Sequence, residues 1–436
     1  MTGPITERRS AAAAFLARTR AGTHALRGRA FRRFWLSQTL SGTGESLVQL
    51  ALPFVVLAAG GTPLSLGLVL TAYGVARVVA LPLAGVIADI ASRRLIMLLA
   101  EAVKMIVHIV LSAALFTGHA HIWHLVLGSI AYGLAYGTGM PAATGVVPQL
   151  VGRELLQEAN ALVSLSRNAA QIAGFAVSGV LIAAFDPEIV YVLGGAFFGA
   201  SALALAGMPN GTIIRSQSRS LLRDLVQGWS ELAVRRWYWI NLITHWLWNL
   251  AYAAFFVIGP IIAVRSFGGS TTWSLMSIAV AIGGLTGAAV ALYVATDRPL
   301  LHGNLAMALA ALPFLALATH SGVGVLVVAT GVAFAGPAFL NVVWAATLQD
   351  RIPDHLLARL SSYDWAFSLA ALPIGSAMAG WSVDSLGVPM TLAWALVCCL
   401  VPGAVALVDG ELRTFRRMGA GDVMEPVAAV SGSRGR

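Results

Sequence analysis

Twelve long runs of apolar residues divide this chain, and each is long enough to cross a lipid bilayer as a helix. A helix rises about 1.5 Å per residue, so about 20 apolar residues span a hydrocarbon core of about 30 Å. The runs lie at 35–59, 64–88, 95–117, 122–148, 159–184 and 187–207, and then at 237–263, 271–295, 300–318, 322–347, 360–383 and 387–408. We therefore predict an all-α polytopic membrane protein with twelve transmembrane helices in two six-helix bundles.

The polar intervals between the runs define the domain organisation. We expect a basic tail at 1–30, a first bundle at 31–207, a linker at 208–235, a second bundle at 236–409 and a second tail at 410–436. With the first tail in the cytoplasm, the cytoplasmic segments hold 24 of the 28 basic residues. Three lie within predicted helices, and only Arg265 falls in an outer loop. Basic residues favour the cytoplasmic side of a membrane. The distribution predicts a multi-pass protein of the inner membrane with both termini in the cytoplasm.

Composition argues against several kinds of function. Charged residues make up 11% of the chain, whereas soluble domains average about 25%. The net charge of +9 belongs mainly to the loops and tails, so we do not expect nucleic acid binding. Lys104 is the only lysine, so the G-x-x-x-x-G-K-[ST] loop of ATP-driven pumps is missing. No residue pattern indicates a cofactor or a metal site.

The two groups of six runs also repeat in sequence. Gly174 and Gly375 are 201 residues apart, as are Gly179 and Gly380, and we expect all four to serve helix packing. The sequence at 32–35 likewise resembles that at 235–238, at an offset of 203. Parallel repeats of six helices hold their binding site at the repeat interface, near the bilayer midplane. The two bundles are therefore expected to be pseudo-symmetric.

A short motif follows the second run. It reads Gly85-Val-Ile-Ala-Asp89-Ile-Ala-Ser-Arg93-Arg94 and resembles the signature G-x-x-x-D-R-x-x-R-R of the major facilitator superfamily. Further similarity at 44–53, 160–166 and 359–364 resembles the branch of enterobactin exporters and macrolide or multidrug efflux proteins. The resemblance implies the major facilitator fold. It also implies a cytoplasmic gate in which Gly85, Asp89, Arg93 and Arg94 meet the other half near Asp364.

Two departures from the family pattern bear on its mechanism. Ile90 stands where the signature has arginine, and Phe175 follows Gly174 where antiporters of the superfamily carry proline. In the family, the Gly-Pro element accompanies export by antiport. Its absence weakens the case for drug/proton exchange.

Two charged residues lie near the middle of predicted helices, Glu45 in the first and Arg77 in the second. A charge at the bilayer centre costs about 2.5–3.5 kcal/mol on insertion scales, so it usually faces a wet cavity or a partner. We interpret Glu45 and Arg77 as candidates for proton coupling, because a moving partner or a substrate can change the protonation of a carboxyl. The alternative is a fixed Glu45–Arg77 ion pair that sets helix packing.

Polar and aromatic side chains recur at helical spacing on several runs, which predicts faces that line a substrate cavity. The cavity candidates are Gln38, Ser41, Gln49, Tyr73, Tyr132, Tyr136, Arg167, Asn241, His245, Trp248, Asn249, Tyr252, Asn341 and Trp344. The alternative for these residues is hydrogen bonding between helices.

Another polar face lies on the third run, where Glu101, Lys104 and His108 share one side of the helix. Glu101 and Lys104 can pair at i, i+3. The third helix is peripheral in members of the superfamily, so we expect this pair to be structural. Counting Glu45, Arg77 and Arg167, the cavity carries one net positive charge, which favours anionic or zwitterionic substrates.

The resemblance implies a transporter rather than an enzyme. We expect a monomer that exports a small organic molecule, such as a drug, a siderophore or another secondary metabolite, by proton-coupled alternating access. Its partners would be the small-molecule substrate, protons and the lipid bilayer. One alternative is a facilitator or importer of the same fold. A more remote one is a membrane receptor or lipid-handling protein that does not transport.

Overall fold

A computed structural model describes residues 24–209, 235–294, 296–352 and 354–416, which are almost entirely helical and contain no strand. The helices are α1 (Arg29–Ala58), α2 (Pro63–Ile90), α3 (Arg93–Phe116), α4 (Ile122–Leu150), α5 (Leu156–Ala184), α6 (Pro187–Ala206), α7 (Arg236–Ser266), α8 (Ser270–Tyr293), α9 (Pro299–Ala318), α10 (Val323–Arg351), α11 (Asp354–Leu386), α12 (Val388–Val408) and α13 (Gly410–Thr414). Most of the predicted tails and linker, at 1–23, 210–234 and 417–436, lies outside the described residues.

The helix positions follow the apolar runs closely. Eleven of the described helices are long and apolar enough to span a membrane, each matching a predicted run. The remaining long helix, α4, has 29 residues, but its five glycines and two tyrosines lower its mean hydropathy. Helices α1 and α11 begin about two turns before their runs, because a helix continues past the hydrocarbon core into the polar interface.

Each half of the molecule packs in the same pattern. In the first half (α1–α6), α1 contacts α5 and α6, and α2 contacts α4; in the second half (α7–α12), α7 contacts α11 and α12, and α8 contacts α10. The two most extensive contacts between the halves are that of α2 with α11 and that of α5 with α8. The repeat relates these two contacts, because α2 corresponds to α8 and α11 corresponds to α5. The fold is therefore two pseudo-symmetric six-helix bundles.

The four repeat-related glycines lie at equivalent helix crossings. A Cβ atom at Gly174 would lie 2.6 Å from Ser46 of α1, and one at Gly375 would lie 2.7 Å from the Leu250 carbonyl of α7. Gly179 likewise meets Ser274 of α8, and Gly380 meets the start of α2. Small residues let helix backbones approach this closely. Two glycines per half thus set both the packing inside that half and its contact with the other.

The halves are joined at one end of the molecule, the end that holds the α1–α2 and α11–α12 turns; we call it the closed end. There the Thr62 hydroxyl donates to Asp384 (2.9 Å), the Thr71 hydroxyl donates to the Pro373 carbonyl (3.0 Å), and Ser274 donates to the Phe175 carbonyl (2.8 Å). The opposite end, which carries the described ends of the chain, is the termini end. These three hydrogen bonds lie in the half of the molecule toward the closed end.

Adding a side chain at the α2–α11 crossing should force the halves apart. A Cβ atom at Gly67 would lie 2.6 Å from the Ser376 carbonyl, whereas one at Gly284 in α8 would meet nothing within 4 Å. We expect Gly67→Val to lower the melting temperature in detergent by several degrees, since overpacking costs about 1–3 kcal/mol. Gly284→Val is the control, because it makes the same change in helix propensity. Equal melting temperatures would mean that the helices do not meet at Gly67.

Candidate functional site

A cavity of about 370 Å³ lies between the two halves. Its polar wall comes from the first half and contains Glu45, Gln49, Tyr73, Arg77, His108, Tyr132, Tyr136 and Gln171. The second half supplies a largely apolar wall that includes Tyr252, Phe256, Trp273, Leu369 and Leu372. Both charged groups among the lining residues, Glu45 and Arg77, therefore belong to one half. The volume suits a small organic molecule rather than an ion.

Aromatic rings surround the Arg77 side chain. Its guanidinium lies 4.8 Å from the centre of the Tyr136 ring, a cation–π distance, and Tyr73 lies against both Tyr136 and Tyr132. Among the described side chains, no carboxylate lies within ion-pair distance of Arg77. The positive charge of Arg77 is therefore available to an anionic group in the cavity.

Glu45 pairs with Lys104 and not with Arg77, so the alternative of a fixed Glu45–Arg77 ion pair is not found in this structure. The Lys104 ammonium lies 3.1 Å from a Glu45 carboxylate oxygen. Both α1 and α3 pack along α6, and the Lys104 ammonium lies over the ring of Phe198 on that helix. The charged face of α3 consequently meets α1, although α2 is the neighbour of α1 in sequence.

Ser41, Glu45, Glu101 and Lys104 form one group, which we call the α1–α3 cluster. Lys104 pairs with Glu101 at 2.6 Å, and the Ser41 hydroxyl lies 3.0 Å from Glu101 and 3.3 Å from Glu45. The side chains of Lys104 and Glu101 are 4% and 7% exposed, whereas that of Glu45 is 19% exposed. Two carboxyl groups thus share one ammonium, and Glu45 is the member that reaches the cavity.

The second half contains a neutral counterpart of this cluster. At the repeat offset of 203, Ser41 corresponds to Thr244 and Glu101 to Asn304. The Thr244 hydroxyl lies 3.2 Å from the Asn304 side-chain oxygen, in the same relation as Ser41 and Glu101. Met307 stands at the position of Lys104. The same helix crossing is therefore made with charges in one half and without them in the other.

The candidates on α7 and α10 fall mostly outside the cavity. Asn241 is fully buried and accepts a hydrogen bond from Asn304, and His245 packs against Trp344. On α7, Asn249 donates a hydrogen bond to the His245 carbonyl, and Trp248 packs against Tyr252. On α10, Trp344 donates a hydrogen bond to Asp364, and Asn341 is exposed. Of this set, Tyr252 alone lines the main cavity. Interhelical hydrogen bonding describes Asn241 and Trp344 better than a cavity role.

A second, smaller cavity of about 30 Å³ lies on the termini side of the α1–α3 cluster. It is lined by Gln38, Ser41 and Arg167 together with Glu45, Glu101 and Lys104. Such a volume holds about one or two water molecules. Of the predicted cavity residues, Ser41 therefore belongs to the cluster, and Gln38 and Arg167 line this small cavity rather than the main one.

Several residues of the site were missed from the sequence. Gln171 lines the main cavity and lies one turn from Arg167, a spacing that could have revealed it. Tyr191 and Trp273 also line the cavity, but isolated aromatic residues in apolar runs are indistinguishable from core residues. Glu101 and Lys104 were recognised as a pair, but not as neighbours of Glu45.

Three residues of the predicted gate, Arg93, Arg94 and Asp364, make contacts within their own halves in this structure. Gly85 and Asp89 lie in the last turns of α2, but their side chains are outside the described part of the chain. Arg94 donates to the Leu205 and Ala206 carbonyls at the end of α6, and Arg93 lies against Gly145 of α4. Asp364 accepts a hydrogen bond from Trp344 at 3.0 Å. Contact between these groups across the halves remains a prediction.

Known proteins resemble this chain over most of its length. The model of the Major Facilitator Superfamily matches residues 34–363. Macrolide efflux protein A of Streptococcus pyogenes is 23% identical over 399 residues, covering 89% of this chain and 97% of the relative. Multidrug efflux pump Tap of Mycolicibacterium fortuitum is 25% identical over 393 residues, covering 86% and 94%.

A solved structure shows the same fold. The nucleoside transporter NupG superposes with a TM-score of 0.72 at 14% identity, covering 89% of this chain and 99% of the other. The family match spans most of the chain, and the helices have the matching architecture. The chain belongs to the major facilitator superfamily and is a multi-pass membrane transporter rather than an enzyme.

Proposed function

We propose that this protein is a secondary active transporter of the inner membrane that exports a small organic molecule in exchange for protons. The observation that carries the proposal is the position of Glu45, which lines the cavity and also contacts the buried Lys104. The names of the two relatives, an efflux protein and an efflux pump, support export. Both termini lie in the cytoplasm, in agreement with the distribution of arginine.

Alternating access is the expected mode of transport. The contacts between the halves lie toward the closed end, which would face outward in this orientation. The cavity would therefore load from the cytoplasm in this conformation. Rocking of the two bundles about the glycine crossings would then expose it to the outside. The residues of the gate motif would meet Asp364 only in that second state.

Proton exchange requires that substrate and proton oppose each other at the site. A purely anionic substrate would bind better when Glu45 is protonated, which favours cotransport instead. A zwitterionic substrate avoids this problem, because its cation competes with the proton at Glu45 while its anion binds Arg77. The tyrosines beside Arg77 add aromatic surface. We therefore propose an aromatic, zwitterionic substrate.

Replacing Glu45 should uncouple the transporter from protons. In proteoliposomes, we expect Glu45→Gln to reduce substrate-dependent proton flux by at least about tenfold, because the amide cannot carry a proton. Glu154→Gln, at an exposed carboxylate of the termini end, is the matched control. Unchanged proton flux in the Glu45 variant would remove this residue from the mechanism.

The same measurement tests the second candidate function. Phe175 occupies the place of the antiporter proline and is buried, with its carbonyl bound by Ser274. This observation favours a facilitator or importer of the same fold. Such a protein would move substrate with no proton movement, or with proton movement in the same direction.

Substrate charge should be recognised through Arg77. We expect Arg77→Gln to weaken binding of an aromatic zwitterion about tenfold or more, since a hydrogen bond to a charged group contributes about 1.5–3 kcal/mol. Binding of the same compound with its carboxylate capped as an amide should change little. Tryptophan fluorescence titration of the detergent-solubilised protein measures both affinities. An equal loss of affinity for both compounds would show that Arg77 does not bind the anionic group.

A further inference from the structure

The two carboxyl groups of the α1–α3 cluster have different surroundings. Glu45 lines both the main cavity and the small cavity, whereas Glu101 lines only the small one. The Glu101 side chain is 7% exposed, and its Oε2 atom is buried with no hydrogen-bond partner among the described residues. An ionised carboxylate with an unsatisfied oxygen is costly in such a place, and a neutral carboxyl is much less so.

The charged and titratable groups around Glu101 come from several helices. Helix α3 contributes Lys104 and His108, and the His108 ring is bound to the Lys104 carbonyl. Helix α1 contributes Glu45, α4 contributes Tyr136, and α5 contributes Arg167 at the edge of the small cavity; α6 presents the ring of Phe198. The contacting groups are two carboxyls and one ammonium. One proton on the pair of carboxyls makes this contact group neutral, which lowers the cost of burying it.

Ser41 connects the two carboxyl groups. Its hydroxyl oxygen lies 3.3 Å from Oε1 of Glu45 and 3.0 Å from Oε1 of Glu101, with the Lys104 ammonium 3.0 Å away. A hydroxyl can donate one hydrogen bond while accepting another. Ser41 can therefore accept a proton on one side and release a proton on the other.

We propose that Glu101 is a second proton site, loaded from Glu45 through Ser41. The Glu45 carboxyl gives its proton to Ser41 Oγ while the Ser41 hydroxyl proton passes to Oε1 of Glu101. Glu45 becomes a carboxylate, Glu101 becomes neutral, and Ser41 keeps one proton throughout. Lys104 keeps its charge and balances whichever carboxylate is ionised. The proposal rests on the proposed function in taking Glu45 as the group that exchanges protons with the cavity.

The repeat supplies conservative variants for a test. The second half makes the equivalent contact with Thr244 and Asn304, so threonine at position 41 and asparagine at position 101 fit this kind of crossing. We therefore choose Glu101→Asn and Ser41→Thr as changes that the helix packing tolerates. The elution volume in size-exclusion chromatography and the melting temperature, both in detergent, verify that each variant is folded.

Infrared spectroscopy of the purified protein tests where the proton resides. We expect a carbonyl band of a protonated carboxyl at neutral pH that Glu101→Asn abolishes and Glu101→Asp shifts. Glu45→Asp should leave the band in place. If the band shifts with Glu45→Asp and not with Glu101→Asp, the proton resides on Glu45 and the proposal is wrong. The infrared measurement does not require transport, so its outcome is independent of the proton flux measured in proteoliposomes.

The rate of deuterium exchange at the same band tests the relay. We expect Ser41→Ala to slow exchange by about tenfold or more, because the connecting hydroxyl is lost, and Ser41→Thr to restore the rate. Exchange at the normal rate in Ser41→Ala would show that protons reach Glu101 by another path, and Ser41 would not be a relay.

Discussion

The cost of an isolated charge inside a bilayer governs this molecule more than any other constraint. Lys104 and Glu101 are almost completely buried in helix α3, and Glu45 meets them from α1. Removing one partner of a buried pair leaves an uncompensated charge and costs about 3–5 kcal/mol. The ion cluster therefore fixes how α1 and α3 approach each other. Because α1 also lines the cavity, the position of the cavity wall depends on the same contacts.

A second constraint comes from close helix packing. Lipid offers no hydrophobic drive for helix association, so the helices depend on van der Waals contact and hydrogen bonds. Gly174 and Gly375 bring α5 and α11 against the first helix of their own half, while Gly179 and Gly380 bring them against the other half. The same two helices thus belong to the rigid packing of each bundle and to the contact between bundles. This arrangement suits bundles that move as units.

The sequence predicts the helices well because length and hydropathy are local properties, and the repeat predicts the pseudo-symmetry because equivalent glycines meet equivalent helices. The sequence does not predict which residue pairs with Glu45. Helical spacing shows which residues share a face, but not which helix that face contacts, so Arg77 on the next helix was chosen over Lys104 on the one after. The same limit applies to Asn241, whose polar face meets Asn304 of α9 rather than the cavity.

The repeat also bears on whether the ion cluster is structural. If charges were needed to pack this helix crossing, the second half would need them as well. There, Thr244 and Asn304 make the equivalent contact, with Met307 in place of the lysine and Trp248 in place of Glu45. A neutral crossing is therefore sufficient for a six-helix bundle of this kind. Since the charged version is costlier to bury and a neutral one suffices, we infer that the first half retains its charges for transport.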